Sequence, residues 1–413
     1  MEAARQTIRK GGNRPVTRND RTAQKKQKAR ARAVEAKNLE AARGRMDLPF
    51  LLLVLLLTAI GLTMVFSASF PSAYYESGDA AYYFKRQAIF AVLGLVAMTA
   101  VSRVNYQRWR GAAKILLVVA FFLLIMVLIP GVGQTRNNAT RWLGIGSLTF
   151  QPSEIAKLAV IVFFADSISK KRDKMENFRE GVVPYLVILG LMAILMLLEP
   201  HLSGTILIVG VGVVLMIVGG IRGWLVGLGV GGIGAVGVLY VKLVESGVIS
   251  YGAGRILMWK DPWVDASGDG YQLCQGLIAI GSGGLLGVGL GKSRQKFLYL
   301  PEEHNDYIFA IVCEELGLIG ATIIMLLFAL LILRGFWIAL HARDRFGTLL
   351  VVGITTLIAI QTFLNIAVVT GLLPTTGISL PFFSYGGTAL TLQLTEMGII
   401  LSVSRQMPAI RAG

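Results

Sequence analysis

Ten long apolar stretches recur along the whole chain, and they restrict its possible folds more than any other feature. A bilayer core about 30 Å thick requires roughly 20 apolar residues per helix. A closed β-barrel would instead show short segments of alternating polarity. The sequence therefore predicts an all-α polytopic membrane protein with about ten transmembrane helices. The stretches lie near residues 48–70, 84–102, 112–130, 152–169, 182–199, 201–220, 223–244, 306–333, 348–370 and 388–404.

The basic residues between these stretches indicate which loops face the cytoplasm. If ten helices are counted, the loops richest in Lys and Arg fall on one side, together with both chain ends. Cytoplasmic loops carry an excess of Lys and Arg, so we expect a multi-pass protein of the cytoplasmic membrane with both termini inside. The expected organisation is a disordered basic cytoplasmic tail (1–46), a membrane domain (47–405) with a large extracytoplasmic loop (245–305), and a short cytoplasmic tail (406–413).

The formal net charge of +16 comes mostly from the first 46 residues, which are rich in Ala, Arg and Lys. A basic tail can bind nucleic acid or anionic lipid. Nucleic-acid binding requires a folded basic face, which this composition does not indicate. Each cation near an anionic membrane surface contributes roughly 1 kcal/mol of attraction. We therefore expect the tail to contact membrane lipids, and we expect no nucleic-acid partner.

Two arginines lie on the predicted outer side, where basic residues are usually scarce. Arg136 and Arg141 precede a helix whose first turn contains Pro152, a residue suited to that position. A helix N-terminus attracts anions, so the arginines are either ordinary loop charges or part of an anion site. Glu154 and Lys157 lie three residues apart on one helix face. They either pair with each other or act on a ligand, and the sequence leaves both interpretations open.

The stretch LPEEHNDYIFA, residues 300–310, places three acids, a histidine and an asparagine directly before an apolar stretch. A carboxylate at that boundary can serve as a general base or as a ligand to a hard cation. The alternative is a helix cap by Asn305 or Asp306, worth about 1 kcal/mol. A cap explains one acid and leaves the rest of the cluster unexplained. The residues alone thus indicate an outer-leaflet site that handles an anionic amphiphile.

Four stretches carry a resemblance to a known family. The chain resembles the FtsW/RodA/SpoVE family, also called SEDS proteins, across nearly all of residues 46–405. Further matches at VLIPGVG and KSRQKFLYLPE are more similar to the division and sporulation branch (FtsW/SpoVE) than to the rod-elongation branch. The four stretches are RW (141–142), QPSEIAKL (151–158), YLPEEHNDYIFAIVCEELG (299–317) and GLLPTTGISLPFFSYGGTAL (371–390).

The resemblance implies a peptidoglycan glycosyltransferase with an outward-facing active site. Such enzymes polymerise lipid II, a disaccharide-peptide on a polyprenyl pyrophosphate. Members usually act with a class B penicillin-binding protein, which is a single-span transpeptidase, and with other division or elongation proteins. The family's essential aspartate falls on Asp306, in HND where relatives often carry HTD. Asn305 can therefore change the hydrogen bonding around that carboxylate.

The resemblance also implies roles for individual residues. Asp306 is expected to be the catalytic base or a ligand of a divalent cation, Mg²⁺ or Mn²⁺. Glu302 and Glu303 are expected to share that cation. Arg141 and Lys157 are expected to contact the pyrophosphate, because charge-assisted bonds to phosphate are strong. The remaining substrate-binding predictions are Trp142, Glu154, Gln275, Gln295 and Ser384, with the glutamines and Ser384 contacting the sugars.

Two other functions are compatible with the same sequence. A transporter that flips lipid II would also be a helical bundle with carboxylates entering the membrane. Such a transporter would require ionisable residues deep in the membrane on both sides of the barrier, whereas this chain concentrates them near one face. A non-catalytic scaffold that only positions a transpeptidase would tolerate the loss of Asp306.

Overall fold

Nine of the ten predicted apolar stretches are helices in the part of the chain that the structure describes. This structure is a computed structural model, and it describes residues 46–407 except 137–138, 146–147, 228, 230, 232–241, 243–245 and 247–252. The predicted basic tail up to residue 45, most of the stretch 223–244 and the chain end from residue 408 lie outside the described residues.

Seven of the described helices are long and apolar enough to cross a membrane, namely α1, α2, α3, α5, α6, α9 and α10. A single π-helical turn, Phe178–Val182, leads into α5. The helices are α1 Leu48–Ser77, α2 Tyr82–Arg103, α3 Arg108–Leu128, α4 Pro152–Lys170, α5 Val183–Leu198, α6 Leu202–Gly219, α7 Ala253–Lys260, α8 Tyr271–Gly283, α9 Ile308–Leu340, α10 Arg345–Val369 and α11 Gly387–Ser404.

Helices α4, α10 and α11 form the centre of the bundle. In α10, 72% of the most apolar window is buried by the rest of the protein, against 22% in α2, so α2 faces lipid and α10 does not. Helices α4 and α11 are likewise mostly buried, and they carry charged residues such as Lys157 and Glu396. Ionisable residues are tolerated within a membrane when they face the interior of the bundle.

Two aspartates organise one end of the bundle. Asp47 caps α1 by accepting a hydrogen bond from Phe50 N at 2.9 Å, and it pairs with Arg334 of α9 at 2.8 Å. Asp344 caps α10 and pairs with Arg110 of α3 at 2.7 Å. These ion pairs lie at the C-terminal end of α9. The LPEEHND segment that precedes α9 therefore lies at the other end of the bundle.

Helix α9 is broken near its start by Gly317, whose φ of 67° and ψ of −171° are not helical. The glycine-rich segment that follows α8 packs into the break. There the Glu314 carbonyl accepts a hydrogen bond from Val288 N at 3.0 Å. Beyond the break, Leu318 N donates to Gly284 O at 2.9 Å. Irregular backbone is stable at membrane depth only where the protein supplies such partners.

A small antiparallel sheet precedes α4 and was not predicted from the sequence. Its strands are β1 Gly133–Arg136, β2 Ala139–Ile145 and β3 Leu148–Phe150, in the order β1-β2-β3. Strands of 4, 7 and 3 residues are too short to give a clear alternation of polarity. The sheet places Arg141 and Trp142 on its central strand, directly before α4.

Candidate active site

The LPEEHND segment does not cap the helix that follows it. Helix α9 begins at Ile308 with Tyr307 as its N-cap, and no side chain makes the capping bond. The alternative that Asn305 or Asp306 serves as a cap is therefore wrong. Instead the Glu302 carbonyl accepts a hydrogen bond from Asn305 N at 3.0 Å, which closes a turn before the helix.

Three successive carbonyl groups of this turn accept hydrogen bonds from other parts of the fold. Two of the donors lie in the segment between α10 and α11, residues 370–386, and the third lies in α10. Tyr385 N donates to the His304 carbonyl at 2.8 Å. Ser384 Oγ donates to the Asn305 carbonyl at 2.7 Å. Asn365, near the end of α10, donates from Nδ2 to the Asp306 carbonyl at 2.7 Å. The backbone around Asp306 is thus fixed at three consecutive residues.

The Asp306 carboxylate is left available by these contacts. Its Oδ1 is shut off from solvent and has no hydrogen-bond partner among the described residues, although the residue as a whole is half-buried. Gly377, at φ +70°, faces Oδ2, since a Cβ built on it would lie 3.6 Å away. Burial, and secondarily the charge of Glu302, raises the pKa of Asp306 to about 7. A carboxyl with that pKa can accept a proton near neutral pH.

The three carboxylates predicted to share a cation do not form one site. Glu303 is buried and accepts from Ser72 Oγ at 2.6 Å, with His304 Nδ1 at 3.3 Å from the same oxygen. Glu302 accepts from Asn305 Nδ2 and lies close enough to Asp306 to act on its charge. In the described part of the chain no three His, Cys, Asp or Glu side chains converge as metal ligands. Mg²⁺ needs only one or two carboxylates besides substrate phosphates, so Asp306 and Glu302 fit that role and Glu303 does not.

The next two acids along the chain, Glu314 and Glu315, are buried in structural contacts. Lys296 Nζ lies 2.8 Å from Glu315 Oε1, and neither side chain is exposed. Glu314 accepts from the Ser293 hydroxyl and from Arg294 N, the latter at 2.8 Å. Both acids lie beside the break in α9, where they attach the loop that leads to LPEEHND.

The predicted basic residues Arg141 and Lys157 have partners within the protein. Lys157 Nζ lies 2.8 Å from Glu154 Oε1 and is 4% exposed, so the interpretation that these two residues pair is confirmed. Arg141 Nε donates to the Glu199 carbonyl at 3.3 Å, and its guanidinium also donates to the Pro200 carbonyl. Arg141 remains half-buried rather than enclosed.

Three buried polar residues near Arg141 and Lys157 were not predicted from the sequence. Glu199, between α5 and α6, is 1% exposed, and neither carboxylate oxygen has a partner in the described chain. Burial raises the pKa of Glu199 to about 8, with Arg141 opposing the shift. Burial, followed by the nearby charges of Arg141 and Lys157, lowers the pKa of His201 to about 3. Glu396 of α11 lies near Lys157. An acid inside an apolar stretch is itself a signal of function, and it could have identified Glu199 and Glu396.

The remaining predicted substrate contacts are Ser384, Trp142, Gln275 and Gln295, and they lie on different elements of the fold. Ser384 is close to Asp306 in the chain fold, but its hydroxyl donates to the Asn305 carbonyl and accepts from Leu380 N at 2.7 Å. These two bonds attach Ser384 to the loop, and its contact with a sugar stays a prediction. Trp142 is half-buried on β2, and Gln275 is half-buried on α8. Gln295 has a buried Oε1 without a partner among the described residues.

Comparison with known proteins places the chain beside enzymes of cell-wall synthesis. The FtsW/RodA/SpoVE family model, described as "Cell cycle protein", matches residues 47–408. Stage V sporulation protein E of Bacillus subtilis (strain 168) is 47% identical over 360 residues, covering 87% of this chain and 97% of that protein. A probable peptidoglycan glycosyltransferase FtsW of Geobacter sulfurreducens is 42% identical over 365 residues, covering 88% and 96%.

Solved structures agree with these sequence matches. A chain of a peptidoglycan synthase complex, described as coordinating polymerization and crosslinking, matches with a TM-score of 0.73 and 26% identity, over 87% of this chain and 98% of that one. The rod shape determining protein RodA of Thermus thermophilus matches with a TM-score of 0.64 and 26% identity, over 88% and 98%. Both likenesses extend over the described bundle.

Proposed function

Because the chain belongs to the FtsW/RodA/SpoVE family, we propose that it is a peptidoglycan glycosyltransferase, a polytopic membrane enzyme that polymerises lipid II into glycan strands. Its similarity to FtsW and SpoVE proteins favours a role in septal or related cell-wall synthesis. The observation that carries the proposal is Asp306. The carbonyls of His304, Asn305 and Asp306 are all held by hydrogen bonds, which fixes the backbone around Asp306. The carboxylate of Asp306 has one buried oxygen with no partner in the described chain.

The chemistry of glycosyl transfer suits that carboxylate. The hydroxyl oxygen of the acceptor sugar attacks the anomeric carbon of the donor, and its proton passes to the Asp306 carboxylate. The bond between the anomeric carbon and the pyrophosphate oxygen breaks, and its electron pair leaves with the pyrophosphate. A fixed base near neutral pKa removes the proton without a reorganisation cost at the moment of reaction.

The leaving group needs positive charge, for which Arg141 and Lys157 are the proposed contacts. Lys157 is paired with Glu154, so a phosphate group would have to share or replace that partner. Arg141 is attached to the carbonyls of Glu199 and Pro200, which orients the guanidinium towards the connection between α5 and α6. Trp142, on the same strand, stays a substrate-binding prediction.

A divalent cation, Mg²⁺ or Mn²⁺, is proposed as a cofactor held by Asp306 and Glu302. When bound, such an ion offsets the charge that develops on a phosphate leaving group. Support comes from Asp306 Oδ1, which has no partner among the described residues, and from the Glu302 carboxylate, whose charge acts on Asp306. Glu303 is left out of the proposed set because it is buried against Ser72 and His304, whereas Glu302 is the carboxylate whose charge acts on Asp306.

The proposed location is the cytoplasmic membrane, with the active site facing outward. The support is the distribution of charge along α9. The LPEEHND turn precedes this helix, and the basic residues Arg343 and Arg345 follow it at the opposite end. The structural likeness to a chain of a peptidoglycan synthase complex supports a partner in peptidoglycan synthesis, and we propose a class B penicillin-binding protein for that role. Division or elongation proteins and membrane lipids are proposed as further partners.

The test uses the full-length protein, purified with its cognate transpeptidase and incubated with labelled lipid II. Glycan strands resolved on a gel would support the proposed function. Transport of lipid II across vesicle membranes without strand formation would favour a flippase. Strand formation by the transpeptidase partner alone, unchanged when this chain is added, would favour a scaffold.

A further inference from the structure

Asn365 is a buried amide in the last turns of α10, and both of its donor bonds go to backbone carbonyls of the candidate site. Its side chain is buried, at 1% exposure. Nδ2 lies 2.7 Å from the Asp306 carbonyl and 2.7 Å from the Ile378 carbonyl. A carbonyl oxygen cannot donate, so only the NH₂ side of the amide can face this pair of acceptors. The network thus fixes the orientation of the amide.

The two carbonyls that Asn365 joins belong to the two sides of the candidate site. One is the carbonyl of Asp306 itself. The other belongs to Ile378, the neighbour of Gly377, and Gly377 is the residue that faces Asp306 Oδ2. Asn365 therefore joins the backbone of Asp306 to the backbone that the carboxylate faces.

This orientation leaves the other end of the amide unsatisfied. Asn365 Oδ1 is buried and has no hydrogen-bond partner in the described part of the chain. A buried acceptor without a partner costs about 1–3 kcal/mol. Gln361 Oε1, one turn earlier in α10, is also a buried acceptor without a partner among the described residues. The feature that distinguishes Asn365 is therefore its bond to the Asp306 carbonyl. Asp306 Oδ1 likewise has no hydrogen-bond partner among the described residues. The hydroxyl group of the acceptor sugar would donate a hydrogen bond to it.

We propose that Asn365 is a positioning residue for glycosyl transfer, which holds the Asp306 carboxylate at the place where it takes the proton of the acceptor hydroxyl. The inference rests on the proposed function. Asn365 acts through Asp306 and through the segment at Ile378, so it controls the rate of the chemical step. Binding of lipid II depends on other residues, Arg141 and Lys157, and should be independent of Asn365.

The direct test is Asn365→Asp, which keeps the size of the side chain and replaces the donating NH₂ with an oxygen that faces two carbonyls. We expect kcat for polymerisation to fall about 10- to 100-fold, because small displacements of a reacting group have effects of this size. The Kd of lipid II should stay within about twofold of the wild-type value, as expected for an interaction that acts on the transition state. Asn365→Ala should behave in the same way.

Gln361 offers a matched control in the same helix. Its Nε2 donates to the Ser379 carbonyl and to Ser379 Oγ, each at 3.1 Å. Gln361 lies one turn before Asn365 in α10 and binds the same 370–386 segment, but its described hydrogen bonds do not include Asp306. Gln361→Glu should change kcat much less than Asn365→Asp. Equal losses of kcat in the two variants would show that general loosening of the segment is responsible, and would overturn the proposal.

A second readout does not depend on activity. Hydrogen exchange followed by mass spectrometry should show faster exchange in Asn365→Ala in peptides covering both 300–310 and 376–380. Gln361→Ala should affect the second peptide alone. If wild-type protein makes no glycan strands, the proposed function fails. The exchange pattern would still show whether Asn365 holds the Asp306 and Ile378 backbones together. If Asn365→Ala exchanges like wild type in residues 300–310, or if Asn365→Asp retains wild-type kcat, Asn365 does not position Asp306.

Discussion

Lys296→Met should destabilise the protein strongly, because it would leave a buried carboxylate without its cation. Lys296 Nζ and Glu315 Oε1 are 2.8 Å apart and both side chains are 0% exposed. Ser67 Oγ donates to Glu315 Oε2 at 2.6 Å, and the Phe70 ring lies 5.8 Å from Lys296 Nζ. The pair connects the loop after α8 to the broken start of α9.

The size of the effect follows from this burial. Removing one partner of a buried ion pair costs about 3–5 kcal/mol, most of it from the charge left behind. The hydrogen bond from Ser67 partly compensates Glu315, so we expect a value near 3 kcal/mol. In the double variant Lys296→Met/Glu315→Gln no charge remains buried. It should therefore lose less stability than Lys296→Met alone.

The assay is reversible denaturation of the purified protein in detergent micelles, with thermal unfolding as a second measure. The control is the Lys174–Glu180 pair, which has a similar distance of 2.7 Å but side chains that are 62% and 54% exposed. Lys174→Met should lower the stability far less than Lys296→Met, because solvent screens an exposed pair. If Lys296→Met and Lys174→Met destabilise the protein equally, or if the double variant is worse than Lys296→Met, the account of this pair is wrong.

Three further predictions concern the active site. Polymerisation should increase as the pH rises towards about 7, where the Asp306 carboxyl ionises in the absence of a cation, and a higher Mg²⁺ concentration should shift this rise to lower pH because a bound cation favours the ionised carboxylate and so lowers its pKa; a pH–rate profile independent of the Mg²⁺ concentration would contradict this. Arg141→Ala should weaken lipid II binding more than it lowers the melting temperature, since an outer cation adds little to stability; equal lipid II affinities in a titration would remove Arg141 from the site. A chelator of divalent cations should stop polymerisation, with recovery on adding Mg²⁺ or Mn²⁺, and full activity in chelator with lipid II binding intact would exclude the cation.

The helices could be predicted from the sequence because their signal is local. Each long apolar stretch needs a helix to satisfy its backbone in lipid, and this holds for α4 and α11 even though they carry Lys157 and Glu396. The break in α9 is different. Gly317 looks like any glycine of an apolar helix, and its conformation depends on a loop about thirty residues earlier that supplies the missing hydrogen bonds.

The candidate site could be predicted only in part. Asp306 was assigned through the resemblance to the FtsW/RodA/SpoVE family, because the residues alone indicated only an outer-leaflet site. The pairing of Glu154 with Lys157 was one of two possibilities that the sequence left open. Ser384 was expected to contact a sugar, but its hydroxyl is used by the backbone of Asn305 and Leu380. The contact from Asn365 to Asp306 joins residues 59 positions apart. Contacts of this kind come from the tertiary fold and leave no pattern in the local sequence.

The role of Asp306 is tested most directly by Asp306→Asn in the lipid II polymerisation assay with the cognate transpeptidase present. The substitution removes the charge and keeps the shape, and the backbone bonds from Ser384 and Asn365 do not involve the carboxylate. The expected result is loss of glycan strands, with normal purification, normal partner binding and a wild-type melting temperature. A folded Asp306→Asn protein that still makes strands at a substantial fraction of the wild-type rate would contradict the assignment of Asp306 as the base, and would also weaken its role as a cation ligand.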